Sequence, residues 1–226
     1  MIVQSMNINE ILRQVESDIH SSQFRNKHDS MLRLFVKTMR LRQDYPVTMN
    51  MHWTHPVSKN RWILSMRAYT PRQKRDPHWL MYCYFDLANG KYVIAPTVST
   101  KHHQVWALHP PHFFKRYRER ILENSTMTPM QVIETFLERN DSMVQQPDRI
   151  GGYNRYAFMS TEKRDFSGKI HDGNIFGQCF DTLAYGRVFV IKTVVSDSML
   201  FRSQRKIFEE MNEKLEIMRD DHYFTK

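Results

Sequence analysis

Residues 109–120 read HPPHFFKRYRER. On a helix starting at Pro111, His112, Arg116 and Arg120 recur every four residues and share one face. That set suits an anion. Each guanidinium offers a planar fork of donors that matches phosphate, and an imidazole changes charge near neutral pH. The catalytic version is RNA cleavage without metal. It needs a base for the 2′-hydroxyl, an acid for the leaving oxygen, and cations for the charge that builds on phosphorus. His112 fits base or acid, and Arg116 and Arg120 fit the phosphate. A second imidazole would come from His109, His102 or His103 on the preceding segment. Tyr117 carries a donor too, but it belongs with Phe113, Phe114 and Ile121 on the apolar stripe that packs inward. The competing version is a solvated helical face whose arginines pair with Glu119 and Glu123.

The order H-x-x-x-R-x-x-x-R, carried by His112, Arg116 and Arg120, resembles a short motif of small toxin ribonucleases of the RelE-like class. The resemblance covers nine of the 226 residues. It implies helices paired with an antiparallel sheet, metal-free cleavage of RNA, and these three residues as the catalytic set. The chain is far longer than such toxins, and its cations lie in mid-chain.

Charge widens the picture. The chain has a net charge of +9, and residues 59–120 hold a surplus of basic residues equal to that whole excess. The twelve cations there are Lys59, Arg61, Arg67, Arg72, Lys74, Arg75, Lys91, Lys101, Lys115, Arg116, Arg118 and Arg120. A positive field gathered on one segment favours a polyanion, RNA or DNA, bound through Arg61, Arg67, Arg72, Lys74, Arg75, Lys115, Arg116 and Arg120. Alternation in RWILSMRAY puts Arg61, Ile63, Ser65 and Arg67 on one strand face and Trp62, Leu64 and Met66 on the other. Trp62 is therefore expected in the core while Arg61 and Arg67 look out, which speaks for phosphate contacts and against base stacking.

Other chemistries have weaker support. His52 and His55, the pair His102-His103, and His109 with His112 raise a metal site, but no third ligand is identifiable from spacing. No metal or cofactor is expected. The chain has only seven glycines, and neither the dinucleotide nor the P-loop glycine pattern occurs. No G-x-S-x-G elbow appears. Cys83 and Cys179 each sit in an apolar run and read as buried thiols, with no disulfide framework. Fifteen methionines read as core filler. No apolar stretch approaches the length of a membrane span, and the N-terminus lacks the features of a secretory signal, so a cytoplasmic protein with no membrane contact is expected.

The elements that would position these residues follow from periodicity. Ile8, Ile11, Leu12, Val15 and Ile19 mark a helix capped by Asn7, and Met31 to Met39 mark a second helix starting at Asp29 or Ser30. TMNMHWTH, RWILSMRAYT, HWLMYCYFD, KYVIAPTV and HHQVWALH alternate as strands of an antiparallel meander, with a hairpin at Asn89-Gly90. Pro111 opens a helix. Thr128, Pro129 and Gln131 form a capping box for the next one. RIGGYNRY reads as a turn. YAFMSTE, KIHDGNIFGQCF and RVFVIKTVV read as strands, and a last helix from Ser198 carries Leu200, Ile207, Phe208, Met211, Leu215 and Met218. The expectation is a single α+β domain over residues 1–226, a largely antiparallel sheet packed with N-terminal, central and C-terminal helices. Three functions stay open. They are polyanion binding through residues 59–120, metal-independent RNA cleavage, and a non-enzymatic structural or protein-interaction role.

Overall fold

Asn7 starts the first helix, α1 (Ile8–Ile19), by a reciprocal exchange: its side chain accepts the Glu10 N–H at 3.1 Å, and the Glu10 carboxylate accepts the Asn7 N–H at 2.8 Å. This is the cap the sequence predicts. The computed structural model describes residues 1–40, 42, 44–100, 103–145 and 163–224. They form two compact units, Met1–Ala88 with Val93–Pro96, and Asn89–Tyr92 with Thr97–Lys226.

In the first unit, α1 buries Ile11, Leu12 and Val15. The second helix, α2 (Ser22–Met39), starts well before the expected Asp29 or Ser30. Ser21 is its cap, accepting the Phe24 N–H at 3.1 Å. Phe24, Met31, Phe35 and Met39 are buried along one stripe. Only Phe24 marks the first two turns, so the apolar period is thin where the helix begins. Its ring meets Trp53, Trp62 and Trp79 edge-on at 5.4, 4.8 and 6.4 Å. Those rings sit on β1 (Val47–Thr54), β2 (Arg61–Ala68) and β3 (His78–Leu87), which pair antiparallel in sequence order as the expected meander requires. One expectation fails. Ile63, Ser65 and Arg67 are buried just as Trp62, Leu64 and Met66 are, so β2 is covered on both faces. Alternation shows which residues share a face, not whether that face is wet.

Strand β4 (Gly90–Thr100) contributes Val93–Pro96 to the first unit and its ends to the second. The hairpin at Asn89-Gly90 is present. Gly90 has φ +123, and a Cβ there would meet the Pro111 ring at 3.0 Å, so two constraints require glycine.

The second unit holds β5 (His103–His109), α3 (Pro111–Tyr117), α4 (Pro129–Arg139), β6 (Met143–Gln145), β7 (Arg164–Ile170), β8 (Gly173–Thr182), β9 (Gly186–Val195) and α5 (Arg202–Phe224). Its strand order is β5-β9-β8-β7-β6. β5 and β9 run parallel, Val105 opposite Arg187 through Leu108 opposite Val190, and the other pairs are antiparallel. The class is therefore α+β with a mostly antiparallel sheet. Thr128 and Gln131 cap α4 as predicted. Helix α5 buries Phe208, Met211 and Leu215 against Val144, Leu200, Phe176 and Val195. It begins at Arg202, after a short 3-10 turn, rather than at Ser198.

KIHDGNIFGQCF is not one strand. Its first residues end β7, its last residues form β8, and His171-Asp172 turns between them with Ile170 opposite Gly173. Asp-Gly is a turn signal, here hidden inside an apolar run. RIGGYNRY and YAFMSTE lie outside the described residues. No helix among the described residues is long and apolar enough to cross a membrane. Cys83 and Cys179 are free and buried, and burial holds the Cys83 thiol pKa above its ordinary value.

Candidate functional site

Helix α3 starts because Pro110 is extended, at φ −77 and ψ 164, and Pro111 occupies the first helical position. Its inner stripe is the predicted one. Phe113, Phe114 and Tyr117 are buried, and each ring meets Phe136 of α4, at 5.0, 5.8 and 5.2 Å. That packing fixes which residues turn outward. His112 and Lys115 are exposed, and Arg116 and Arg120 are partly so. Arg120 lies in a wider turn, Arg118–Leu122, where the Glu123 N–H reaches back five residues to the Arg118 carbonyl.

Both arginines bind the same strand. β5 accompanies β9 only as far as Val190, so among the described residues no strand pairs with 191–195 on that side. Against β8, Phe176 faces Thr193 and Gly177 faces Ile191, which leaves Lys192 as the extra residue of a β-bulge. Arg116 Nη1 donates to the Lys192 carbonyl at 3.4 Å. Arg120 Nη1 donates to the Val194 carbonyl at 3.2 Å and to Thr193 Oγ1 at 3.1 Å. The two side chains take the place of the missing strand. They go to backbone seventy and more residues away, not to Glu119 and Glu123 as the solvated-face reading expects. Each uses one guanidinium nitrogen, so most of each fork remains to face an anion, already held in place.

His112 lies one helical turn before Arg116. Partial burial first, then Arg116 of α3 and Lys192 of β9, lower its pKa from the ordinary histidine value. The imidazole is therefore neutral at pH 7. Lys192 Nζ bonds Gln178 Oε1 at 2.6 Å, and Lys115 is exposed on the same helix. His112, Arg116 and Lys192 thus come together from α3 and β9, and Arg120 reaches the same strand from the turn that follows α3.

The twelve predicted cations do not share one place. Lys59, Arg61, Arg67, Arg72, Lys74 and Arg75 belong to the first unit. Lys91, Lys115, Arg116, Arg118 and Arg120 belong to the second. Lys101 lies outside the described residues. Arg61 pairs with Asp86 at 2.5 Å and lies over the Tyr84 ring at 4.9 Å. Arg67 is 6% exposed, which removes it from any surface that meets a polymer. Arg72 and Arg75 are exposed and Lys74 is half-buried, on and just after the 3-10 turn Pro71–Lys74. His109, proposed as a second imidazole, is 5% exposed and packed against Phe113, Phe114 and Phe136 at 5.2, 5.9 and 5.1 Å. His102 lies outside the described residues. Among the described residues no group of three His, Cys, Asp or Glu is placed to hold a metal.

Two polar clusters escape sequence reasoning. The first centres on Asp172, whose side chain is 2% exposed. Its carboxylate accepts the Tyr117 hydroxyl, Asn140 Nδ2 at 2.9 Å and Arg139 Nη2 at 2.7 Å. The Asp172 N–H donates to Asn140 Oδ1 at 3.0 Å. Burial, then the bond to Asp172, raises the Tyr117 pKa above its ordinary value. This network ties α3, α4 and the β7–β8 turn together. The Asp-Gly dipeptide was the signal available for it.

The second cluster, in the first unit, brings Ser21 Oγ within 3.0 Å of His55 Nε2, and His55 Nδ1 within 3.7 Å of Asp18. The residue types are those of a hydrolase triad, but the roles are reversed. His55 Nδ1 accepts the N–H groups of Val57 and Ser58 at 3.3 and 3.1 Å, so Nε2 carries the proton and donates to Ser21. Ser21 Oγ already donates to the Asp18 carbonyl at 2.6 Å and caps α2. The cluster joins the N-terminal helices to the β1–β2 loop. It has no base for a nucleophile.

No protein-family model, curated protein or solved structure matches this chain.

Proposed function

We propose that this protein binds a nucleic acid, RNA or DNA, through the face formed by His112, Lys115, Arg116, Arg120 and Lys192. What carries the reading is geometric: Arg116 and Arg120 are fixed on β9 by the Lys192 and Val194 carbonyls, on the strand that also carries Lys192. Positive groups distant in sequence crowd one place, and an anion is what relieves such crowding. The net charge of +9 supports the same partner class. Arginine forks held on strand carbonyls lose little freedom on meeting a phosphate. The reading narrows the 59–120 segment to its last part, joined by Lys192.

The test is salt dependence. Four cations on a single strand give a slope of log affinity against log salt of about −3. Fluorescence anisotropy with a short single-stranded RNA measures it. Lys115→Gln with Lys192→Gln should make the slope shallower by about 1.4. A slope near zero in the parent protein, or one unmoved by the double substitution, rejects the face. A structural or protein-interaction role predicts the first of these results.

One observation favours a second reading, metal-independent RNA cleavage of the kind the RelE-like resemblance implies. An imidazole with a lowered pKa, beside the Arg116 guanidinium and the Lys192 ammonium, is poised to accept a 2′-hydroxyl proton. His112→Gln should then abolish cleavage and leave binding in place.

A further inference from the structure

Among the described residues Phe201 is the one aromatic side chain left exposed, at 75%, and Met199 two residues before it is exposed at 51%. Leu200 between them is buried with Val144, Phe208, Met211 and Leu215, and Val195 packs on the same cluster. Helix α5 then opens with three exposed cations, Arg202, Arg205 and Lys206. Spacings of three and four put them on one side of the helix, away from the buried Phe208, Met211 and Leu215. Local preference is against both features. A helix start favours serine, threonine, aspartate or asparagine as its cap, and acids in its first turn. Here Phe201 stands before the helix, its carbonyl accepting the Gln204 N–H at 2.9 Å, and the first turn has no acid. A bare ring and three cations set against local preference mark a surface kept for a partner.

This patch shares a sheet face with an arginine of the α3–β9 site. Phe176 and Thr193 are register partners on β8 and β9, so their side chains lie on one face. Phe176 meets Phe208 of α5 at 5.5 Å, and Thr193 Oγ1 accepts from Arg120 at 3.1 Å. The Val194 carbonyl also holds Arg120. From Val194 the chain reaches Phe201 within about 25 Å even if fully extended.

We propose that Phe201 with Met199 is a base-stacking platform for a single-stranded nucleic acid, and that the Arg202, Arg205 and Lys206 side chains hold phosphates of the same strand. This rests on the nucleic-acid reading of the α3–β9 face and narrows it, because an exposed ring stacks on a base only where that base is unpaired. Single-strand sites commonly take about 4–16 nucleotides, enough to cover both places. The charges choose this occupant over a membrane. A helix lying on an anionic lipid surface carries cations along its polar face. Helix α5 instead turns acidic further on, at the exposed Glu209, Glu210 and Glu213.

Anisotropy of the full chain with an oligouridylate of about 12 nucleotides, and with an RNA duplex of equal length, tests this. On a single strand long enough to reach both places, the three further cations should steepen the salt slope from about −3 to about −5. Phe201→Ala should weaken single-strand binding about 5- to 100-fold, keep the slope, and leave duplex binding unmoved. Phe201→Trp should bind at least as tightly as the parent, and Phe201→Leu should bind as Phe201→Ala does. Arg202→Gln with Arg205→Gln should make the slope shallower by about 1.4. Because the replaced side chains are exposed, circular dichroism and Tm should not change. A parent slope near zero removes the reading of the α3–β9 face and this proposal with it. A slope near −3 that ignores Phe201→Ala and the arginine pair keeps that reading and overturns this proposal alone. Two other results also overturn it. One is Phe201→Leu binding as tightly as the parent. The other is a loss on Phe201→Ala seen only with vesicles of phosphatidylserine and phosphatidylcholine, and not with RNA.

Discussion

Tyr117→Phe removes one hydroxyl and leaves the ring, so it tests chiefly the bond to a carboxylate that is 2% exposed, the Asn140 Nδ2 bond to the same hydroxyl being longer at 3.4 Å. A hydrogen bond to a charged group contributes about 1.5–3 kcal/mol. The lower half of that range applies here. Arg139 at 2.7 Å and Asn140 at 2.9 Å still hold Asp172 after the change. The expected loss is about 2 kcal/mol, which for a chain of this length lowers Tm by about 4–8 °C. Urea unfolding of parent, Tyr117→Phe, Asp172→Asn and the double variant completes a cycle, and the coupling energy should be about 1 kcal/mol or more. The pH dependence has a definite sign. A pKa raised in the fold contributes stability that is full below the ordinary tyrosine value near 10 and fades as pH rises beyond it. The parent should thus lose more stability above pH 10 than Tyr117→Phe does. RNA binding should survive, since the hydroxyl faces the interior. A loss below about 0.5 kcal/mol, or strict additivity with Asp172→Asn, would refute the claim that this bond fastens α3 to the β7–β8 turn.

Two further outcomes concern protons. Burial first, then Arg116 and Lys192, lower the pKa of His112; a bound phosphate would offset the two charges and raise it, so affinity for RNA should increase as pH falls from 7.5 to about 5.5. Anisotropy titrations at several pH values should show this for the parent and a flat profile for His112→Gln; a flat parent profile sets the linkage aside. In the second case, burial alone would raise the Asp197 carboxyl, but bonds from Lys169 at 2.7 Å and Asn174 at 2.8 Å outweigh it and lower its pKa. That stability is present above the ordinary aspartate value and lost as pH falls below about 4. Asp197→Asn should cost about 1–2 kcal/mol at pH 7, since Lys169 is buried while the carboxylate is largely exposed, and should flatten the acid limb of a stability curve.

What was legible in the sequence was local. The capping pairs Asn7 with Glu10 and Thr128 with Gln131, the turn at Asn89-Gly90, and the apolar stripe of Phe113, Phe114 and Tyr117 depend on neighbours within one turn. What was not legible depends on partners far along the chain. Nothing near Ile63, Ser65 or Arg67 announces that their face is covered. The start of α2 was hidden because one phenylalanine does the work of two turns. At the site, Arg116 and Arg120 were placed on one helical face by spacing alone. Their partners, the carbonyls of Lys192 and Val194, exist because β5 stops at Val190 and β9 bulges. The role of Lys192 beside His112 had no sequence signal.

Two hairpin ends of the second unit ask for opposite treatment from anyone who must join something to this protein. The His171-Asp172 end is stitched into the interior through a carboxylate, so an added residue there would pull the stitch. The Thr182–Gly186 end is closed by its own short bonds, Thr182 Oγ1 to the Gly186 carbonyl at 2.8 Å and the Tyr185 N–H to Thr182 Oγ1 at 3.0 Å. Leu183 there is 87% exposed. A fluorophore, an affinity tag or new chain termini belong at Leu183, where the backbone has the least to lose.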